Sequence, residues 1–203
     1  MPKLDESTLD SKSVTLYAKT TDANSTAYPL TIDGISHLLP TLDISHHEIH
    51  EGNHFYFENV FTLNTSGTLY IKLITADTAK WTHLTWEIEC TGILETTLYE
   101  DVAGGMTGGS SVTSLNNDRN SATTSGNTII SGVTVATTLG TTVSIKKVGG
   151  TGFKIVTGGE VRRDDEIIMK QGATYLRSFL SGSDNNILHI KAKWYEHTNI
   201  SED

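Results

Sequence analysis

Between His46 and His54 the chain crowds together His46, His47, Glu48, His50 and His54. Neutral imidazole and carboxylate are the usual ligands of zinc and its neighbours, so a metal site is the first chemistry to weigh. The spacing departs from that of the zinc proteases, which need His-Glu-x-x-His on one helical face. Here His47-Glu48 is followed by the single residue Ile49 before His50. On a strand, His46, Glu48 and His50 share one face, and His47, Ile49 and Glu51 the other. A structural metal held by His46, His50 and His54, or one shared between subunits, stands against a hydrogen-bonded or titrating surface segment. We expect no metal and no other cofactor.

The remaining reactive residue types lack the spacing that chemistry requires. Glu87 and Glu89 lie on one face of an alternating segment, which reads as solvent-facing charge rather than two glycosidase carboxylates held across a cleft. No Gly-x-Ser-x-Gly elbow occurs, and Gly104-Gly105-Met106-Thr107-Gly108-Gly109 lacks the Lys-Ser/Thr ending of a phosphate loop. Asp118 and Arg119 sit in an Asn-rich loop, suited to a local Arg–carboxylate pair or a contact with a neighbouring subunit. Arg162-Arg163-Asp164-Asp165-Glu166 reads as a charged turn, or as an intersubunit patch through Arg162 and Arg163. Trp86 and Trp194 face inward by alternation, whereas Trp81 opens its segment and is the Trp suited to a surface contact. No catalytic residue is assigned.

These residues must be carried by strands. Leu188, Ile190, Ala192 and Trp194 alternate with His189, Lys191, Lys193 and Tyr195, and Leu84, Trp86, Ile88 and Cys90 do the same upstream, which is the period of a half-buried sheet. Segments 55–63, 69–75, 82–91, 93–100, 128–136, 142–147, 160–170, 175–180 and 187–195 read as strands separated by Gly, Ser, Asp and Asn turns. The 203 residues hold 36% hydrophobic and 19% charged side chains, with 18 Gly and 3 Pro, a balance that favours short strands over helices. We expect an all-β antiparallel sandwich of jelly-roll type. Residues 1–45 form an extended arm with short strands, too poor in apolar side chains for a core of its own and docked on the main domain or a neighbour. Residues 46–203 form the sandwich, with a Gly/Thr-rich insertion at about 103–159 that supplies excursion strands or orders on a partner.

Net charge of -9 argues against nucleic-acid binding. No apolar run is long enough to cross a bilayer and the first residues are polar and acidic, so synthesis in a cytoplasm without a membrane partner is expected. Cys90, the single cysteine, reads as a small buried hydrophobe.

The series Ser45-His46-His47-Glu48-Ile49-His50-Glu51-Gly52-Asn53-His54-Phe55, Trp81-Thr82-His83-Leu84-Thr85-Trp86-Glu87-Ile88-Glu89, Leu98-Tyr99-Glu100, Asn117-Asp118-Arg119-Asn120 and Trp194-Tyr195-Glu196 resembles a group of tailed-bacteriophage virion proteins. The resemblance runs from about Asp43 to Glu196, as an ordered set of short words. It implies a small β-sandwich on the outer surface of the capsid, a non-enzymatic decoration or cement protein. Such a protein binds the major capsid protein and copies of itself as a trimer or dimer. A head- or tail-fibre adhesin that binds a host glycan through the Gly/Thr loops is the alternative.

Overall fold

The computed structural model describes residues 15–18, 28–31, 44–103, 105–135, 139–150 and 166–198. The chain divides into two compact units, Met1–Asp43 and Ile44–Asp203. In the first, β1 (Thr15–Ala18) pairs antiparallel with β2 (Tyr28–Thr31).

The second unit opens with a helix, α1 (Ile44–His50), followed by β3 (His54–Leu63), β4 (Thr68–Ile74), β5 (Lys80–Cys90) and β6 (Leu94–Glu100). Then come the short strands β7 (Met106–Thr107), β8 (Ser110–Val112), β9 (Leu115–Asn116), β10 (Thr128–Ser131) and β11 (Thr134–Val135). β12 (Thr141–Val148), β13 (Ile167–Met169), β14 (Thr174–Ser181) and β15 (Asn186–Thr198) complete the order. One sheet runs β12-β6-β14-β4-β10-β8, the other β13-β5-β15-β3-β9, and β11 pairs with β7. Every pairing is antiparallel.

β3 pairs with β15, β4 with β14, β5 with β13 and β6 with β12. Those pairings describe one long antiparallel ribbon. Rolling it adds the β5–β15 and β6–β14 contacts, and the result is the jelly roll. Its core is an interdigitated layer from both inner faces, including Phe55, Phe57, Ile71, Leu84, Leu98, Phe179, Ile190 and Trp194, each at most 1% exposed. Fully burying one such side chain stabilises by about 1.5–3 kcal/mol.

Three features differ from the sequence reading. The His-rich segment is a helix, not a strand: seven residues stop at a Schellman cap, in which Asn53 N donates to Glu48 O and Gly52 N to Ile49 O. Gly52 sits at φ 71°, and a Cβ there would lie 2.4 Å from Ser121 Oγ, so only glycine fits. Next, β12 lies inside the stretch read as an insertion, yet it is the strand that completes the β6 edge of the ribbon. The rest of that stretch supplies a second apolar cluster, in which Val102, Val133, Met106, Val135 and Leu139 pack with Tyr70, Tyr99, Ile130 and Leu176. Leu176 is fully buried although Tyr175 and Phe179, one residue and three residues away on β14, belong to the sandwich core. The third is Trp86, read as core, which is only half-buried. Cys90 is buried, its Sγ 3.1 Å from Gly92 O, and burial pushes the thiol up from its ordinary value.

Candidate functional site

Words far apart in the chain meet at one end of the five-stranded sheet. Tyr195 on β15 lies in register with His54 on β3 and His83 on β5, and its ring stacks on both, with centroids 6.3 and 4.5 Å away. His83 Nδ1 is 2.7 Å from Glu166 Oε1, and the Tyr195 hydroxyl donates to the same oxygen at 2.9 Å. His83 Nε2 is 2.8 Å from His197 Nε2, and His197 Nδ1 is 2.8 Å from Thr198 O. The carbonyl only accepts, so His197 carries a hydrogen on Nδ1.

On the other side of Tyr195, Asn117 Nδ2 donates to His54 Nδ1 at 2.8 Å, which requires a neutral imidazole. Burial, then the charge of Lys193, push His54 down to about 4, against the opposing pull of Glu48 and Glu166. Below this end, Asn53 links to Glu48 at 3.1 Å, to Lys80 Nζ at 3.0 Å and to Glu196 N at 3.0 Å. The buried Glu196 carboxylate accepts from Ser125 Oγ, Trp194 Nε1 and Gly126 N at 2.5, 3.0 and 3.1 Å. Both ring nitrogens of His83 are occupied by protein, so the array as it stands locks strands together rather than presenting a base to a substrate.

The candidate ligands of the sequence reading are scattered. His46 and His50 stand exposed on α1, their Nε2 atoms 3.1 Å apart, while Glu48 turns inward and His54 belongs to the sheet. Among the described residues no group of three or more His, Cys, Asp or Glu side chains is placed to hold a metal ion. Trp81 is half-buried at the start of β5, in register with His197. Asp118 Oδ1 accepts from Asn120 N at 2.9 Å, and Arg119 Nη1 reaches the Asn116 carbonyl at 3.4 Å rather than Asp118. The word is therefore turn chemistry around the buried Asn116, whose Nδ2 donates to Gly52 O at 2.7 Å. Arg162 and Arg163 lie outside the described residues.

Along the outer face of the same sheet, charges pair across strands: Lys193 with Glu87, Lys191 with Glu58 at 3.1 Å, and His189 with Glu58 at 2.7 Å and Glu89 at 3.6 Å. Each such half-exposed pair contributes about 0–1 kcal/mol. Glu87 and Glu89 thus serve the surface ladder and do not face one another across a cleft.

One residue escaped the sequence reading. Arg177 alternates with Tyr175 and Phe179 on the inner face of β14, and a charged side chain on a core-facing position was the signal that pointed to it. It is 3% exposed. No family model, no curated protein and no solved structure matches this chain.

Proposed function

We propose that the chain is a non-enzymatic structural protein of a tailed-phage virion, a decoration or cement protein on the outside of the capsid. The observation that carries this reading is the convergence of four of the five resembling words, Leu98-Tyr99-Glu100 lying on β6 in the other sheet. The His-rich segment, Trp81–Glu89, Asn117–Asn120 and Trp194–Glu196 are spread over the chain, yet they interlock at one end of a single sheet through His54, Asn53, His83 and Tyr195. Residues that brace one scaffold are what a structural protein needs. The jelly-roll sandwich and the net charge of -9, suited to a surface away from packaged DNA, support the same reading.

Its mechanism is mass action. A protein that binds only the assembled shell stabilises that state by RT ln(1 + [L]/Kd) per site, about 2.7 kcal/mol at a hundredfold excess over Kd. Particles lacking the protein are expected to release their DNA at lower temperature than complete ones, read by nuclease sensitivity across a heating series. Equal heat resistance with lost adsorption to host cells refutes the cement reading and favours the adhesin.

A further inference from the structure

On the side of the sandwich where β12 and β13 form the edges, a cavity of about 230 Å³ opens, lined by Trp86, Ser144, Lys146, Glu166, Ile167 and Arg177 among others. Arg177 is the buried charge in its wall. Its Nε donates to Thr96 Oγ1 at 2.7 Å and its Nη1 to Ser144 Oγ at 3.3 Å, and its guanidinium lies 5.6 Å from the centre of the Trp86 ring. A guanidinium carries five N–H donors in a planar fork, so two hydroxyl partners leave most of the fork unused. No carboxylate among the described residues pairs with it. Glu166 lines the same cavity, but its Oε1 is taken by His83 and Tyr195. The Trp86 indole N–H, in the same wall, is buried without an acceptor.

A buried cation without an anion is costly, and native interiors supply a partner to nearly every such group. Burial pushes this guanidinium down to about 10, so it stays charged at neutral pH. The fork is held in place by Thr96, Ser144 and the Trp86 face before anything binds, which is the preorganisation an anion site requires.

We propose that this cavity binds a small organic acid through a single carboxylate, which pairs with the donors of Arg177 left over from Thr96 and Ser144. A carboxylate is favoured over phosphate on two grounds. Its two oxygens in one plane match the guanidinium fork. Among the described lining residues Arg177 is the buried cation, and a carboxylate brings the single negative charge that matches it where a phosphate dianion brings a second. The volume lies below the roughly 300–1,000 Å³ of pockets for drug-sized ligands, so the ligand is small. This inference is independent of the virion reading.

The test titrates sodium acetate, and separately inorganic phosphate, into the full chain at constant ionic strength set with chloride, following the Trp86 indole resonance by NMR. Expected are a saturable acetate shift in the millimolar range, weakening by about tenfold or more in Arg177→Lys, which keeps the charge but loses the fork. Because Arg177→Lys risks misfolding, Ser144→Phe on the edge strand β12 provides the second arm: it fills the mouth and should abolish the acetate shift while the β-sheet circular dichroism spectrum and a cooperative unfolding transition show the fold retained. Acetate acting no differently from chloride, phosphate binding more tightly than acetate, or Ser144→Phe binding acetate like the parent protein would each overturn the proposal.

Discussion

Protonating His54 demands that the fold give up the Asn117 hydrogen bond and accept a charge in a buried site beside Lys193. In the unfolded chain the imidazole takes up its proton near 6.5, in the folded chain near 4. Between those values the unfolded state binds more protons, so stability is level above about pH 6.5 and falls as pH drops towards 4. The share due to His54 is about 2 kcal/mol once solvent screening is allowed for. Urea unfolding at pH 7 and at pH 4.5 should therefore find a smaller acid-induced loss in His54→Gln than in the parent protein; equal losses would show that the site is wetter than its burial implies. The residue types of this site were legible in the sequence and their partners were not. His54 meets Asn117 across 63 positions and His83 meets Glu166 across 83, and such pairings are set by strand register, not by local spacing. Arg177 carried a readable sign, since a charge alternating with two aromatic core residues has to be buried with some partner.

Strands legible in the sequence are those in which one face meets the core and the other meets water. In β5 and β15 the buried positions Leu84, Ile88, Cys90, Leu188, Ile190, Ala192 and Trp194 follow the alternation read from composition. β12 reads as a strand over 142–147 but as an excursion from the sandwich, because as an edge strand it exposes most of its side chains and shows no core face, although its backbone completes a sheet. α1 is too short for a helical period to emerge, and its identity rests on the Gly52 cap. The end of β12 is held by a comparable device. Gly149 sits at φ 84°, and a Cβ there would lie 1.8 Å from Gly92 O and 3.1 Å from Cys90 Sγ. Gly149→Ala must move backbone on both sides and adopt a left-handed conformation unfavourable to a side chain, and we expect a loss of about 1–3 kcal/mol. The checking measurement is the urea midpoint; an unchanged midpoint would mean that this connection yields without cost.

At the scale of the molecule, the ribbon closes on itself. Its first strand, β3, pairs along its length with its last, β15, so the eight strands of the roll all lie between His54 and Thr198. Both apolar clusters are built from residues within the same span, from Phe55 to Trp194, and α1 is capped by Gly52 and tied to the sheet through Glu48 and Asn53. The boundary between the two compact units falls just before α1, at Asp43. A protein beginning at Ile44 therefore retains every contact that closes the jelly roll, and it should give a β-dominated circular dichroism spectrum and unfold in one cooperative urea transition. A decoration protein whose first unit contacts a neighbour should, when shortened in this way, lose oligomerisation or attachment to particles while keeping that transition. The two readouts separate the roles of the two units. Loss of the cooperative transition itself would mean that the first 43 residues complete the core of the sandwich, and the reading of them as a contact arm would fall.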